Sequence, residues 1–166
     1  MIVIDANVLI AWSAKKTPDL VRARLQYMLE TAAKEKERIL IPTPALAEFL
    51  VRTDDATTEW LAELEKKSAV DVCSFDRKAA FECAFIERGA HKAGDKKHGA
   101  DTAYQKVKFD RQIVAIAKSR NAGLVVSDDD SLRRVALSVG LKVLKIEELP
   151  VSASALQTEI NFPKKK

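Results

Sequence analysis

Asp5 stands immediately after the apolar run Ile2-Val3-Ile4, and Asp128, Asp129 and Asp130 follow Leu124-Val125-Val126 with only Ser127 between. Glu48 lies among Leu46, Ala47, Phe49 and Leu50, and Asp110 stands just ahead of the apolar run over residues 113–117. A carboxylate in such surroundings loses hydration and needs a partner. Acids from four separate segments are better explained by one shared cation than by four coincidences. Carboxylates held close repel, some with raised pKa values, and a hard divalent ion removes the conflict. Oxygen donors, with no Cys and no His near a strand end, select Mg²⁺ or Mn²⁺ over zinc. Such ions activate water and stabilise the leaving oxygen of an in-line phosphodiester displacement. The chemistry expected of this set is therefore phosphodiester hydrolysis. Plainer roles exist for some of them: Asp129 or Asp130 as cap of a helix starting near Ser131, and Asp110 as cap of its own helix.

The elements that must position these acids alternate between short apolar runs and helical patterns, as in a parallel sheet wrapped by helices. Strands are expected at Ile2–Ile4, residues 39–41, Val70–Cys73, Leu124–Val126 and residues 142–145. Thr17-Pro18 and Thr43-Pro44 read as helix starts, the first leading into Val21, Leu25, Met28, Leu29 and Ala32. Thr57-Thr58 reads as the cap of a helix carrying Trp60, Leu61 and Leu64, and further helices are expected over residues 76–87 and 131–138, with Gly140 as the last stop. The apolar side chains Leu25, Met28, Leu29, Trp60, Leu61 and Leu64 suit either the core or a homodimer interface. In an open sheet of this kind ligands collect at the carboxyl ends of the strands, which is where the acids fall.

Composition sets the frame. The 166 residues are one domain's worth, here an α/β domain over residues 1–150 followed by a tail over 151–166. With 47% hydrophobic and 31% charged residues the chain is an ordinary globular one. No run reaches the roughly 18 uncharged apolar residues of a membrane span, and Asp5 leaves no room ahead of it for a signal peptide. The expected compartment is the cytoplasm, with Cys73 and Cys83 as reduced core thiols. Net charge is +4, a mild excess that favours a polyanionic partner. Five of the 28 Lys and Arg residues fall in an irregular, basic, Gly-containing stretch over residues 89–108. There Lys92, Lys96, Lys97, Lys106 and Lys108 are candidates for guiding RNA by phosphate contact, or for a solvated loop. His91 and His98 lie on the same stretch and are not favoured as metal ligands. The Lys164–Lys166 run reads as solvated.

Taken in order, these segments resemble the motifs of PIN domains. Residues 3–10, with Asp5 and Asn7, resemble their opening Asp-x-Asn/Ser motif, and residues 44–50 their glutamate-bearing second motif. Residues 109–115 are similar to the third, and residues 126–132 to the fourth, a Thr/Ser-x-Asp before a short helix. The resemblance covers about residues 1–150 and is nearest to the VapC-like toxins of bacterial toxin–antitoxin systems. It implies a three-layer α/β/α sandwich with a parallel central sheet, and a Mg²⁺- or Mn²⁺-dependent endoribonuclease. Asp5, Glu48, Asp110 and Asp129 would be its catalytic, metal-binding acids, Asn7 and Ser127 polar supports, and Asp128 the alternative fourth acid. A small antitoxin protein and a homodimer are likewise implied. Rival readings are a non-catalytic PIN-like module binding RNA or protein, and a structure-specific DNA nuclease. Haloacid-dehalogenase-like phosphatases also place an Asp after the first strand, but Asn7 stands where they need a second Asp.

Overall fold

Runs such as Ile2-Val3-Ile4 and Ile39-Leu40-Ile41 are buried along their whole length, which a parallel sheet covered on both faces by helices requires. The structure, a computed structural model, describes residues 1–153 and 155. Among them five strands form one sheet: β1 (Ile2–Ile4), β2 (Ile39–Pro42), β3 (Val70–Cys73), β4 (Leu124–Val126) and β5 (Val143–Leu144). The order is β3-β2-β1-β4-β5, with every neighbouring pair parallel. Helices α1 (Ala6–Ser13), α2 (Asp19–Lys34), α3 (Thr43–Leu50), α4 (Asp55–Glu65), α5 (Arg77–Lys92), α6 (Tyr104–Ser119) and α7 (Asp130–Ser138) cover it.

Two apolar clusters lie on opposite faces of the sheet. Ile2, Ile4, Ile39, Ile41 and Val126 pack with α1, α2 and α4, whereas Val3, Leu40 and Val125 pack with α5, α6 and α7. The alternation follows from the two-residue period of a strand. The architecture is thus the expected α/β/α sandwich. Leu25, Met28, Leu29, Leu61 and Leu64 are buried in the first cluster, and Trp60 packs on it through edge contacts with Trp12 and Phe49 at centroid distances of 6.0 and 6.2 Å. These side chains are core. Ile146 and Leu149, in and after a short 3-10 turn, complete the same cluster.

The chain leaves β1 toward β2 and β3 on one side and returns to β4 on the other, so the strand order reverses between β1 and β4. A crevice opens at the carboxyl ends there. The register Ile4↔Val126 sets Asp5 directly beside Ser127.

Several boundaries differ from expectation. α1 has no polar face, and periodicity therefore gives no signal for it. α2 starts at Asp19 with no side-chain cap, because the Thr17 hydroxyl donates instead to the Ala11 carbonyl. Asp54, not Thr57-Thr58, caps α4, accepting from the Thr57 backbone N–H at 2.9 Å. Residues 89–108 are not one loop, since α5 runs to Lys92 and α6 begins at Tyr104. Cys73 is buried, Cys83 only half-buried, and both are free thiols. The Lys164–Lys166 run lies outside the described residues, and among those described no helix is long and apolar enough to cross a membrane.

Candidate active site

Asp5 is the N-cap of α1 and is only 3% exposed. Its Oδ1 accepts from the Val8 backbone N–H at 2.9 Å, and its Oδ2 accepts from the Ser127 hydroxyl. Burial raises the Asp5 carboxyl to about 6, against the opposing hydrogen bonds from Ser127 and Val8 and with help from the charges of Asp129 and Asp128. Ser127, fully buried, also accepts from the Asp129 backbone N–H at 3.0 Å. One hydroxyl therefore couples the end of β1 to the turn after β4.

Asp129 caps α7, its Oδ1 accepting from the backbone N–H groups of Ser131 and Leu132 at 2.8 and 3.1 Å. The capping role and the site role are compatible, because its Oδ2 is left for Lys106 at 2.6 Å. Burial pushes this carboxyl up, but the Lys106 ammonium and the cap hydrogen bonds outweigh it, and the group lies below its ordinary value. Asp128 faces elsewhere: its Oδ1 accepts from the Ile146 backbone N–H at 2.9 Å and anchors the final 3-10 turn.

Asp110 does not begin its helix. It sits well inside α6, buried, so it caps nothing. Ser131 donates to its Oδ2 at 2.5 Å, and Lys106 approaches its Oδ1 at 3.3 Å. Burial raises this carboxyl, while Ser131 and Lys106 act in the opposite direction. Asn7, in the first turn of α1, has no side-chain hydrogen-bond partner among the described residues.

Glu48 corrects the expectation of a desolvated acid. Ala45 and Phe49 turn α3 toward the core, and the Glu48 side chain, 47% exposed, pairs instead with Arg52 at 3.8 Å. It does share a cavity of about 470 Å³ with Lys106, Phe109 and Asp110. The structure thus joins Asp5, Asp110 and Asp129 through Ser127, Ser131 and Lys106, with Glu48 on the wall of the adjoining cavity.

The basic candidates separate. Lys106 lies inside the acidic centre. Lys108, two residues on and hence on another helix face, places its ammonium 5.1 Å from the Tyr104 ring centroid. Lys92, Lys96 and Lys97 are exposed. His91 pairs with Glu87 at 3.0 Å, and the His98 ring nitrogen accepts from Arg111 at 3.4 Å.

Sequence reading missed Ser131 as the support of Asp110, and Lys106 as its neighbour. The second had a signal: 106 and 110 are i and i+4, which only matters once the helix is known to start before both.

Among the described residues no three His, Cys, Asp or Glu side chains form a cage for an ion. Mg²⁺ characteristically keeps several waters and takes one or two carboxylates plus substrate phosphate oxygens. Asp110 and Asp129 meet that lower demand, because each aims an oxygen at one place already held by a positive charge. The donors present fit a hard divalent ion.

The family model of the PIN domain matches residues 2–137. No curated protein matches the sequence. Among solved structures, the chain is similar to one in VapBC2 from Rickettsia felis bound to a DNA fragment from its promoter, with TM-score 0.63 and 18% identity over 87% of this chain and 98% of that one. It is similar to one in DNA-bound VapBC from Salmonella typhimurium, with TM-score 0.58 and 21% identity over 87% and 97%. It also resembles one in VapBC-1 from nontypeable Haemophilus influenzae, with TM-score 0.61 and 16% identity over 89% and 100%. At these identities the likeness is one of fold.

Proposed function

The chain belongs to the PIN-domain family, and from that premise we propose that it is a Mg²⁺- or Mn²⁺-dependent endoribonuclease, the toxin of a VapBC-like type II toxin–antitoxin pair. The observation that carries the reading is the coupling of Asp5, Asp110 and Asp129 at the switch point of the sheet by Ser127, Ser131 and Lys106. Asp110 and Asp129 would hold the ion directly, with Asp5 and Glu48, the other two acids of the expected set, outside that pair. The ion supplies Lewis acidity toward a phosphate oxygen and makes water a better nucleophile.

The protein's own groups do the rest. Ser127 fixes the carboxylate plane of Asp5, and Ser131 fixes that of Asp110. Both hydroxyls are buried, so their aim does not drift with solvent. Asn7 offers an amide beside Asp5 to orient a substrate oxygen or the attacking water. Arg52, on the wall of the cavity beside Asp110, offers a charge to a neighbouring phosphate. An antitoxin of opposite design would cover the acidic groove with a basic or apolar segment, and its gene would lie beside this one. RNA as substrate places the work in the cytoplasm.

The test is cleavage of total cellular RNA by wild type and Asp5→Asn protein, with Mn²⁺ or Mg²⁺ and with EDTA. Discrete products requiring both Asp5 and the ion are expected. A folded, ion-binding protein that leaves RNA intact under all these conditions would overturn the enzyme reading. One observation favours a second reading, a binding module: Lys106 already neutralises Asp110 and Asp129. RNA retention without cleavage, insensitive to EDTA, is its signature.

A further inference from the structure

Lys106 is held by the acidic centre for a reason that phosphate contact alone does not supply. Each carboxylate has one oxygen committed to the fold: Asp110 Oδ2 to the Ser131 hydroxyl, and Asp129 Oδ1 to the first backbone N–H groups of α7. The two remaining oxygens, Asp110 Oδ1 and Asp129 Oδ2, face one position, and the Lys106 ammonium occupies it at 3.3 and 2.6 Å. The lysine reaches that position from one turn earlier on α6. Its side chain is 40% exposed and lines the cavity that also contains Glu48 and Phe109. A flexible four-carbon stem with one end in an open cavity can swing without disturbing the helix.

We propose that the Lys106 ammonium is a resident counter-ion in the seat of the divalent ion, exchanged for that ion when it binds and swung into the cavity as it leaves. The inference rests on the reading of Asp110 and Asp129 as ion ligands. Two carboxylates aimed at one point repel, and an empty seat would drive them apart. The ammonium keeps both aimed. The same contacts make it a competitor, so it lowers the affinity for the ion by the work of displacing it.

The experiment is calorimetric titration of Mn²⁺ into wild type, Lys106→Met, Lys106→Arg and Lys108→Met proteins, with circular dichroism to establish folding. Displacing a half-exposed ion pair costs little, so Lys106→Met should bind Mn²⁺ about five- to tenfold more tightly than wild type, about 1–1.4 kcal/mol. Lys106→Arg, which keeps the charge, should bind no more tightly than wild type. Lys108→Met removes the same charge from another face and should change the Kd much less than Lys106→Met.

Binding by Lys106→Met alone would also support the exchange. Equal tightening by Lys106→Met and Lys108→Met would reduce the effect to long-range charge and overturn it, as would an unchanged or weaker Kd for Lys106→Met. In either of those cases the ion site itself would stand. Absence of binding by every folded protein would remove the site and the inference together. In wild-type protein, Mg²⁺ should also shift the Lys106 side-chain NMR signals to those of an exposed lysine, and signals unmoved at saturation would overturn the exchange by themselves.

Discussion

At the scale of single residues, Asp5 is where the fold and the chemistry oppose each other. Its carboxyl is raised to about 6 from an ordinary 3.8. Between those values the folded protein binds more protons than the unfolded one, so without divalent ions stability falls as pH rises through this window and stays low above it. The gap corresponds to a cost of up to about 3 kcal/mol at neutral pH. Asp5→Asn, which keeps an acceptor for the Val8 N–H, should therefore raise the apo-protein's melting temperature at pH 7.5 and flatten its dependence between pH 4 and 6. A variant no more stable than wild type at pH 7.5 would contradict the burial argument. Ser127→Ala acts the other way. It removes the donor to Asp5 Oδ2 and orphans the Asp129 N–H, at a cost of about 1–3 kcal/mol. Because that donor holds the Asp5 carboxyl down, its loss should also move the onset of Mn²⁺ binding to higher pH.

At the scale of elements, α5 and α6 hold the connection between them by an ion pair whose Arg111 end is buried and whose Glu87 end is half-buried. Arg111, 0% exposed, donates to Glu87 and, at 2.5 Å, to the Lys96 carbonyl, and the Tyr104 hydroxyl donates to Glu87 as well. Burial pushes Glu87 up, but Tyr104, His91 and Arg111 outweigh it and hold the carboxyl below its ordinary value. Beyond the last residue of α5, Gly94 with φ +69° closes the helix through the paired backbone bonds Gly94 N–H to His91 and Asp95 N–H to Ala90, a Schellman turn. This is why residues 89–108 look irregular in sequence: the helix ends are Lys- and Gly-rich, and their order comes from a clamp 24 residues apart. Arg111→Met should destabilise the protein by about 1–3 kcal/mol, because it leaves the Lys96 carbonyl and Glu87 without their donor. Hydrogen exchange should accelerate over residues 93–103 well before β1. Uniform exchange across the chain would show that the clamp does not act locally.

At the scale of the whole molecule, the acids from β1, α6 and the β4–α7 turn meet only in the native state. An ion bound there must stabilise the fold by mass action, by about 2.7 kcal/mol at a hundredfold excess over Kd. For a chain of this size that is a rise of roughly 5–10 °C in melting temperature. Mn²⁺ should produce it, EDTA should abolish it, and Asp129→Asn should respond less. An identical response in the variant would move the ion away from Asp129.

The sequence by itself determined the parallel α/β architecture, because fully apolar three-residue runs between helical patterns have few other ways to be buried. It also put Asp5 and Asp129 at the carboxyl ends of β1 and β4, because each follows a strand, but it set Asp110 at the start of a helix in whose interior it stands. It misjudged Glu48: of its apolar neighbours only Phe49 is buried and Leu46 half-buried, while Ala47 and Leu50 are exposed along with Glu48; a helix turns by about 100° per residue, so adjacency says little about burial. Ser127 was expected as a polar support, but only the tertiary structure decided that its hydroxyl meets Asp5, that Ser131 aims Asp110 and that Lys106 sits between Asp110 and Asp129. The physical reason is the same for each. A hydrogen bond or ion pair needs atoms within about 3 Å, and which side chains meet at that distance depends on strand register and helix rotation across the whole sheet.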